Sequence, residues 1–112
     1  MSKHVLGIDL GTTFSSVSVI VSEKPEIVSD PINRRDIPSM VNFSKKNDNV
    51  NVLVGNFAKK NQIRQASMTI YDSKRMLGRK FDDVHIQQLK KKWPFSIEKS
   101  ETGGILINLK GI

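Results

Sequence analysis

Short runs of alternating apolar and polar residues dominate the first half of the chain, and helical spacing enters only after residue 56. Val5 to Leu10 is a β-prone run bounded by turn formers, and Phe14, Val17, Val19 and Val21 resume a mostly alternating pattern beyond Gly11-Thr12-Thr13. These runs predict a hairpin. Pro25 to Val28, after Ser22-Glu23-Lys24, predicts a third strand that completes a meander. Ser29 to Pro38 is polar, contains Pro31, Pro38 and the group Asn33-Arg34-Arg35-Asp36, and reads as a connector. Ser39 to Phe43 and Val50 to Val54 predict two short strands around a Lys45 to Asn49 loop, with a strong turn former in Asn47-Asp48-Asn49. Phe57 to Gln65 lacks Gly and Pro and predicts a helix, with Asn56 placed to cap it. A second helix is predicted over Asp83 to Lys92, where Ile86, Leu89 and Trp93 share a face and Pro94 ends the run. Phe95 to Glu98 and Ile105 to Leu109 predict a closing hairpin through Thr102-Gly103-Gly104.

The candidate chemistry lies at the first turn, Asp9-Leu10-Gly11-Thr12-Thr13. A glycine at a strand end lets the backbone approach a bulky anion, neighbouring amides can point inward, and threonine hydroxyls add neutral donors. A carboxylate repels a bare phosphate but suits one that arrives with a divalent cation, so Asp9 turns the expectation toward a metal nucleotide. The same five residues also fit a plain hairpin turn in which glycine satisfies a positive φ and Asp9 caps the turn amides. Periodicity leaves both readings open.

Composition narrows the class. Of 112 residues, 38% are hydrophobic and 26% charged, and no low-complexity block or internal repeat occurs, which favours an ordered domain. No cysteine is present, which excludes disulfides and thiolate metal sites and fits a reducing compartment. His4 and His85 show no metal-ligand spacing with other donors. No run approaches the ~20 apolar residues that a membrane span needs, and we read the chain as cytoplasmic with no membrane partner. The net charge of +7 is lopsided: residues 1–56 carry six basic and six acidic side chains, and residues 57–112 carry twelve and five. Such asymmetry suits a small basic nucleic-acid-binding domain. The basic residues, however, come as Lys59-Lys60, Arg79-Lys80 and Lys90 to Lys92 between apolar positions, which better describes solvated helical faces. Trp93 and Phe95 flank a proline at a helix end, where aromatics seal a small core.

Beyond these patterns, GIDLGTTFS at residues 7–15 closely resembles the first phosphate motif of the seventy-kilodalton heat-shock chaperones, a branch of the actin and sugar-kinase superfamily. The likeness continues through the NR and PS pairs near residues 33–39, VGNFAKKNQ at 54–62, TIYDSKRMLGRKFDD at 69–83 and KKKWPF at 90–95, in the family's order. It covers essentially the whole chain. The resemblance implies an α/β fold, the N-terminal part of an actin-like (ribonuclease-H-like) ATPase domain, with a β-meander followed by a small α+β subdomain. Residues 1–36 would carry the first strands and the first phosphate loop, and residues 37–112 the cleft wall. A sugar-kinase or actin-like relative would share the first loop but does not account for TIYDSKRMLGRKF or KKKWPF.

The same resemblance implies ATP or ADP with Mg2+ as cofactors. Asp9 would sit near the metal through its water shell, and Gly11, Thr12 and Thr13 would hold the phosphates. Lys74 would reach the terminal phosphate, where an ammonium on a long stem neutralises and positions charge. Without the motif, Lys74 reads as one more surface lysine. Arg75 would either approach the nucleotide or pair with an acid across the cleft. Phe14 stands where the family usually has tyrosine, and the gap between Asn33-Arg34 and Pro38-Ser39 is one residue longer than the usual pattern. The implied parent is an ATP-driven chaperone with unfolded clients, co-chaperones and nucleotide-exchange factors as partners. Only one phosphate loop is found, so the chain alone is expected to show little turnover, and the meander's unpaired edge predicts self-association.

Overall fold

The computed structural model describes residues 4–112. It opens on a hairpin of β1 (Leu6–Leu10) and β2 (Phe14–Val21), paired antiparallel from Leu6 opposite Val19 to Leu10 opposite Ser15. A tight turn at Ser22-Glu23, both at positive φ, leads to β3 (Lys24–Ile27) on the other side of β2. The third strand therefore begins a residue earlier than Pro25. The connector is not wholly irregular, because β4 (Ile37–Pro38) returns to pair with Phe14 and Ser15 of β2. Before it, the Asp30 carboxylate accepts the amides of Ile32 and Arg34 and the side-chain amide of Asn56, which fixes the loop and ties it to the helix that follows.

A second sheet has the order β6-β5-β7, from β5 (Val41–Lys46), β6 (Asn49–Val54) and β7 (Thr69–Ile70). The first of these strands was expected at Ser39 to Phe43 and lies further along. Lys45 and Lys46 stay in the ladder, and the loop shrinks to Asn47-Asp48, with Asn47 at φ 50. Two residues suffice because asparagine tolerates the left-handed backbone that such a hairpin requires. Across this sheet lies α1 (Asn56–Asn61), shorter than the Phe57 to Gln65 expectation, with Ala58 fully buried. Its N-cap is Gly55 at φ 68, with no side-chain cap; the expected cap, Asn56, spends its amide on Asp30. A Cβ on Gly55 would lie 2.6 Å from Ile37 Cγ2, so the helix can start there only from a glycine. A 3-10 turn over Ala66–Met68 then leads into β7. Beneath it the fully buried Asn42 donates to Thr69 Oγ1 at 2.9 Å, and Thr69 donates to the Gln65 carbonyl at 2.9 Å.

The remaining elements are α2 (Ser73–Met76), α3 (Val84–Lys90) and a hairpin of β8 (Ser96–Lys99) and β9 (Ile105–Asn108). Asp83 caps α3 by accepting the His85 amide at 2.8 Å. Ile86 is fully buried in a core with Ile70, Trp93, Phe95 and Ile97, and Leu89 packs against it, so the predicted apolar face is the one used. Trp93 stacks on Phe95 at 5.2 Å between centroids, and Tyr71 meets Phe95 edge-on at 5.5 Å. The molecule is thus mixed α/β with antiparallel sheets. Its dense core belongs to the second half. The first sheet leaves Leu6, Ile8 and Leu10 exposed at 59%, 66% and 61%, and Leu10, Ser15 and Val17 line an apolar gap of about 680 Å3 toward the second sheet.

Candidate functional site

The first turn is built by closure of its own backbone. A Cβ on Gly11 would lie 2.2 Å from the Phe14 carbonyl oxygen, so the bend from β1 into β2 is open only to glycine. Gly11 is not among the glycines with left-handed backbone, so close approach rather than positive φ is what demands it. Ser39, just after β4, holds the bend from outside. Its hydroxyl donates to the Gly11 carbonyl at 2.8 Å and lies 2.9 Å from Ser15 Oγ, while its amide donates to the Thr13 carbonyl at 2.9 Å. Ser39 was missed as a site residue. Its only signal in the sequence was the Pro-Ser pair.

The expected site residues reach this bend from two directions. Asp9 is exposed and stands opposite Ser16, on the face of β1 away from Ile8 and Leu10. Thr12 and Thr13 form the bend, Thr12 half-buried and Thr13 exposed. Lys74 arrives from 64 residues away and donates from Nζ to the Leu10 carbonyl at 2.7 Å, between Asp9 and Gly11 in the chain. Phe14 lies beneath Lys59, whose Nζ is 5.9 Å from the ring centroid, in a cleft also lined by Asn33, Arg34 and Arg35. Arg75 pairs with Asp72 at 3.4 Å, within its own turn and not across a cleft.

Asp72 explains how Lys74 is aimed. It sits at φ 59, ψ 19, a left-handed conformation at the start of α2 that turns the chain sharply out of β7. The Trp93 indole N–H donates to Asp72 Oδ2 at 3.0 Å, and Arg75 Nε donates to its Oδ1, so one carboxylate binds the short helix to the aromatic core. Burial raises the pKa of the neighbouring Tyr71 phenol, and the charge on Asp72 adds to the effect, so this hydroxyl stays neutral. Alongside, Lys74, Arg75, Arg79, His85 and Lys92 line a groove of about 380 Å3. Among the described residues no three of His, Asp or Glu cluster closely enough to hold a metal. A cation at Asp9 would therefore take most of its ligands from its own anion and from water, as magnesium with phosphates does. Glycine closure, two hydroxyls, one acid and one ammonium fit that donor set.

Comparison with known proteins bears on the whole chain. The family model described as "Hsp70 protein" matches residues 5–111. A heat shock cognate HSP70 protein of Trypanosoma brucei brucei is 42% identical over 96% of the chain, and a mitochondrial heat shock 70 kDa protein of Pisum sativum is 36% identical over 97%. The chain spans only about 15% of the first relative's length and 16% of the second's. Both likenesses run through the bend, the Lys74 segment and the Trp93 segment alike, and the chain belongs to the Hsp70 family.

Proposed function

We propose that this chain supplies one wall of the ATP and magnesium cleft of a longer ATP-driven chaperone, whose nucleotide state governs binding and release of unfolded protein clients. The 2.7 Å hydrogen bond from Lys74 Nζ to the Leu10 carbonyl carries the reading, because it sets an ammonium at the lip of a glycine bend that bears two hydroxyls and an acid. In this reading the backbone at Gly11 and the Thr12 and Thr13 hydroxyls hold phosphate oxygens. Lys74 would turn from the Leu10 carbonyl to the terminal phosphate and neutralise charge there. Asp9 would hold magnesium through water, and Phe14 and Arg75 would flank the nucleotide. A bound magnesium nucleotide would supply the phosphoanhydride bond and the counter-charge on its oxygens. The architecture is assigned as the N-terminal part of an actin-like (ribonuclease-H-like) ATPase domain, with residues 1–36 carrying the phosphate loop and 37–112 forming the cleft wall. Co-chaperones and nucleotide-exchange factors are the partners of the whole protein, and the cytoplasm its compartment.

Magnesium ADP and ATP titrated into this chain, and into a chain extended to the length of its relatives, test the proposal. The extended chain should hydrolyse ATP, and Lys74→Ala should lower kcat by roughly 100-fold or more, as loss of one preorganised charge donor does elsewhere. Asp9→Ala should weaken the magnesium dependence of binding. The short chain should turn over little ATP. Nucleotide binding indifferent to both substitutions, together with RNA binding that falls steeply with salt, would instead identify a basic nucleic-acid-binding domain.

A further inference from the structure

Two hydroxyls behind the bend decide which way its amides point. A serine hydroxyl has a single proton to donate. Ser39 gives that proton to the Gly11 carbonyl at 2.8 Å, so in the 2.9 Å contact between the Ser15 and Ser39 hydroxyls Ser15 is the donor. The result is a relay with a fixed direction, from Ser15 to Ser39 to the Gly11 backbone. The Ser39 amide pins a second carbonyl, that of Thr13, at 2.9 Å. Both carbonyls thus face Ser39. No peptide bond among the described residues is cis, and in a trans peptide the N–H lies opposite the C=O. The Thr12 amide, which shares a plane with the Gly11 carbonyl, therefore turns away from Ser39, and so does the Phe14 amide beyond the Thr13 carbonyl. Two N–H groups on one side of a turn suit an anion. Ser39 is itself held in place, because Ile37 and the buried Pro38 pair with Ser15 and Phe14. All of these groups lie between residues 11 and 39, so the arrangement needs no free surface.

We propose that Ser39, oriented by Ser15, is a positioning residue for the phosphates of the nucleotide: its hydroxyl and its amide keep the Thr12 and Phe14 amides turned toward the ligand. This role rests on the reading of the bend as a phosphate site. In it neither serine touches the nucleotide; Ser39 acts through two carbonyls, and Ser15 acts through Ser39. Without the Ser39 hydroxyl the Gly11–Thr12 peptide loses the bond that fixes its plane, and binding must then order it. The Thr13 carbonyl keeps its bond in an alanine variant, because a backbone amide supplies it. The expected loss is therefore partial.

Titration calorimetry with magnesium ADP, on the chain extended to the length of its relatives, tests this role. Ser39→Ala should weaken binding roughly 3- to 10-fold, the worth of one neutral hydrogen bond. Ser39→Thr keeps the hydroxyl and should bind within about 2-fold of the unmodified protein. Ser15→Ala should weaken binding less than Ser39→Ala does, and the double variant should bind no more weakly than Ser39→Ala alone, since Ser15 acts only through Ser39. Adenosine, which lacks phosphates, should bind every variant equally, whereas a general loosening of the fold would lower its affinity in step with that of ADP. Full ADP affinity in Ser39→Ala, equal losses for alanine and threonine, single losses that add in the double variant, or a parallel loss of adenosine binding would each overturn the proposal and leave the phosphate site standing. An unmodified extended chain that fails to bind magnesium ADP would overturn both.

Discussion

Individual residues show how much of this molecule is held by short-range polar closure. Asp30 is the clearest case: burial acts to raise its pKa, but the Arg34 amide, the Asn56 side chain, the Ile32 amide and the Arg34 charge together outweigh it and hold the carboxyl below its usual value of 3.8. A carboxyl depressed on folding stabilises the fold above its unfolded pKa, and the contribution is lost as pH falls through the folded value. Melting temperatures of the unmodified chain and Asp30→Asn should therefore differ near neutral pH and converge below about pH 4. The Asp9, Gly11 and Thr12-Thr13 set was legible because a small motif puts all its members within five residues. Ser39 was not, since its role consists of bonds to Gly11 and Thr13, 28 and 26 positions away, that only folding brings about.

Among the elements, legibility followed the source of each one's stability. The β1-β2 and β5-β6 hairpins and α3 announce themselves by alternation or by a shared apolar face, because neighbours in sequence are also their partners. Residues 66–77 gave no such signal. A two-residue strand and a four-residue helix have almost no local stability. They persist because Asn42 bonds Thr69, and because Trp93 and Arg75 both bond Asp72. Asp72→Ala should thus cost about 1–3 kcal/mol in urea unfolding, through the orphaned indole N–H and the strained left-handed backbone. Asp72→Asn keeps an acceptor and tolerates that backbone, and should cost less than half as much. Equal losses for the two variants would show that Asp72 does not anchor α2. The shortened α1 has a similar origin at its C-terminal end, where the segment beyond Asn61 leaves the helix and Gln65 accepts from Thr69.

At the scale of the whole molecule, stability is unevenly distributed. The buried cluster of Ile70, Ile86, Trp93, Phe95 and Ile97 lies wholly in the second half, whereas the sheet that carries Asp9 and Gly11 stays largely exposed above its apolar gap. Amide hydrogen exchange should follow this division, with β1 and β3 exchanging well before α3 and β8. Uniform protection would contradict it. The candidate bend is therefore mounted on the looser half, held there by Ser39 and reached from the tighter half by Lys74. Trp93 is the chain's single indole, and its N–H rests on the carboxylate that aims the Lys74 arm. A ligand that draws the Lys74 arm and shifts Asp72 with it should therefore move the emission wavelength of Trp93, a readout that needs no attached dye.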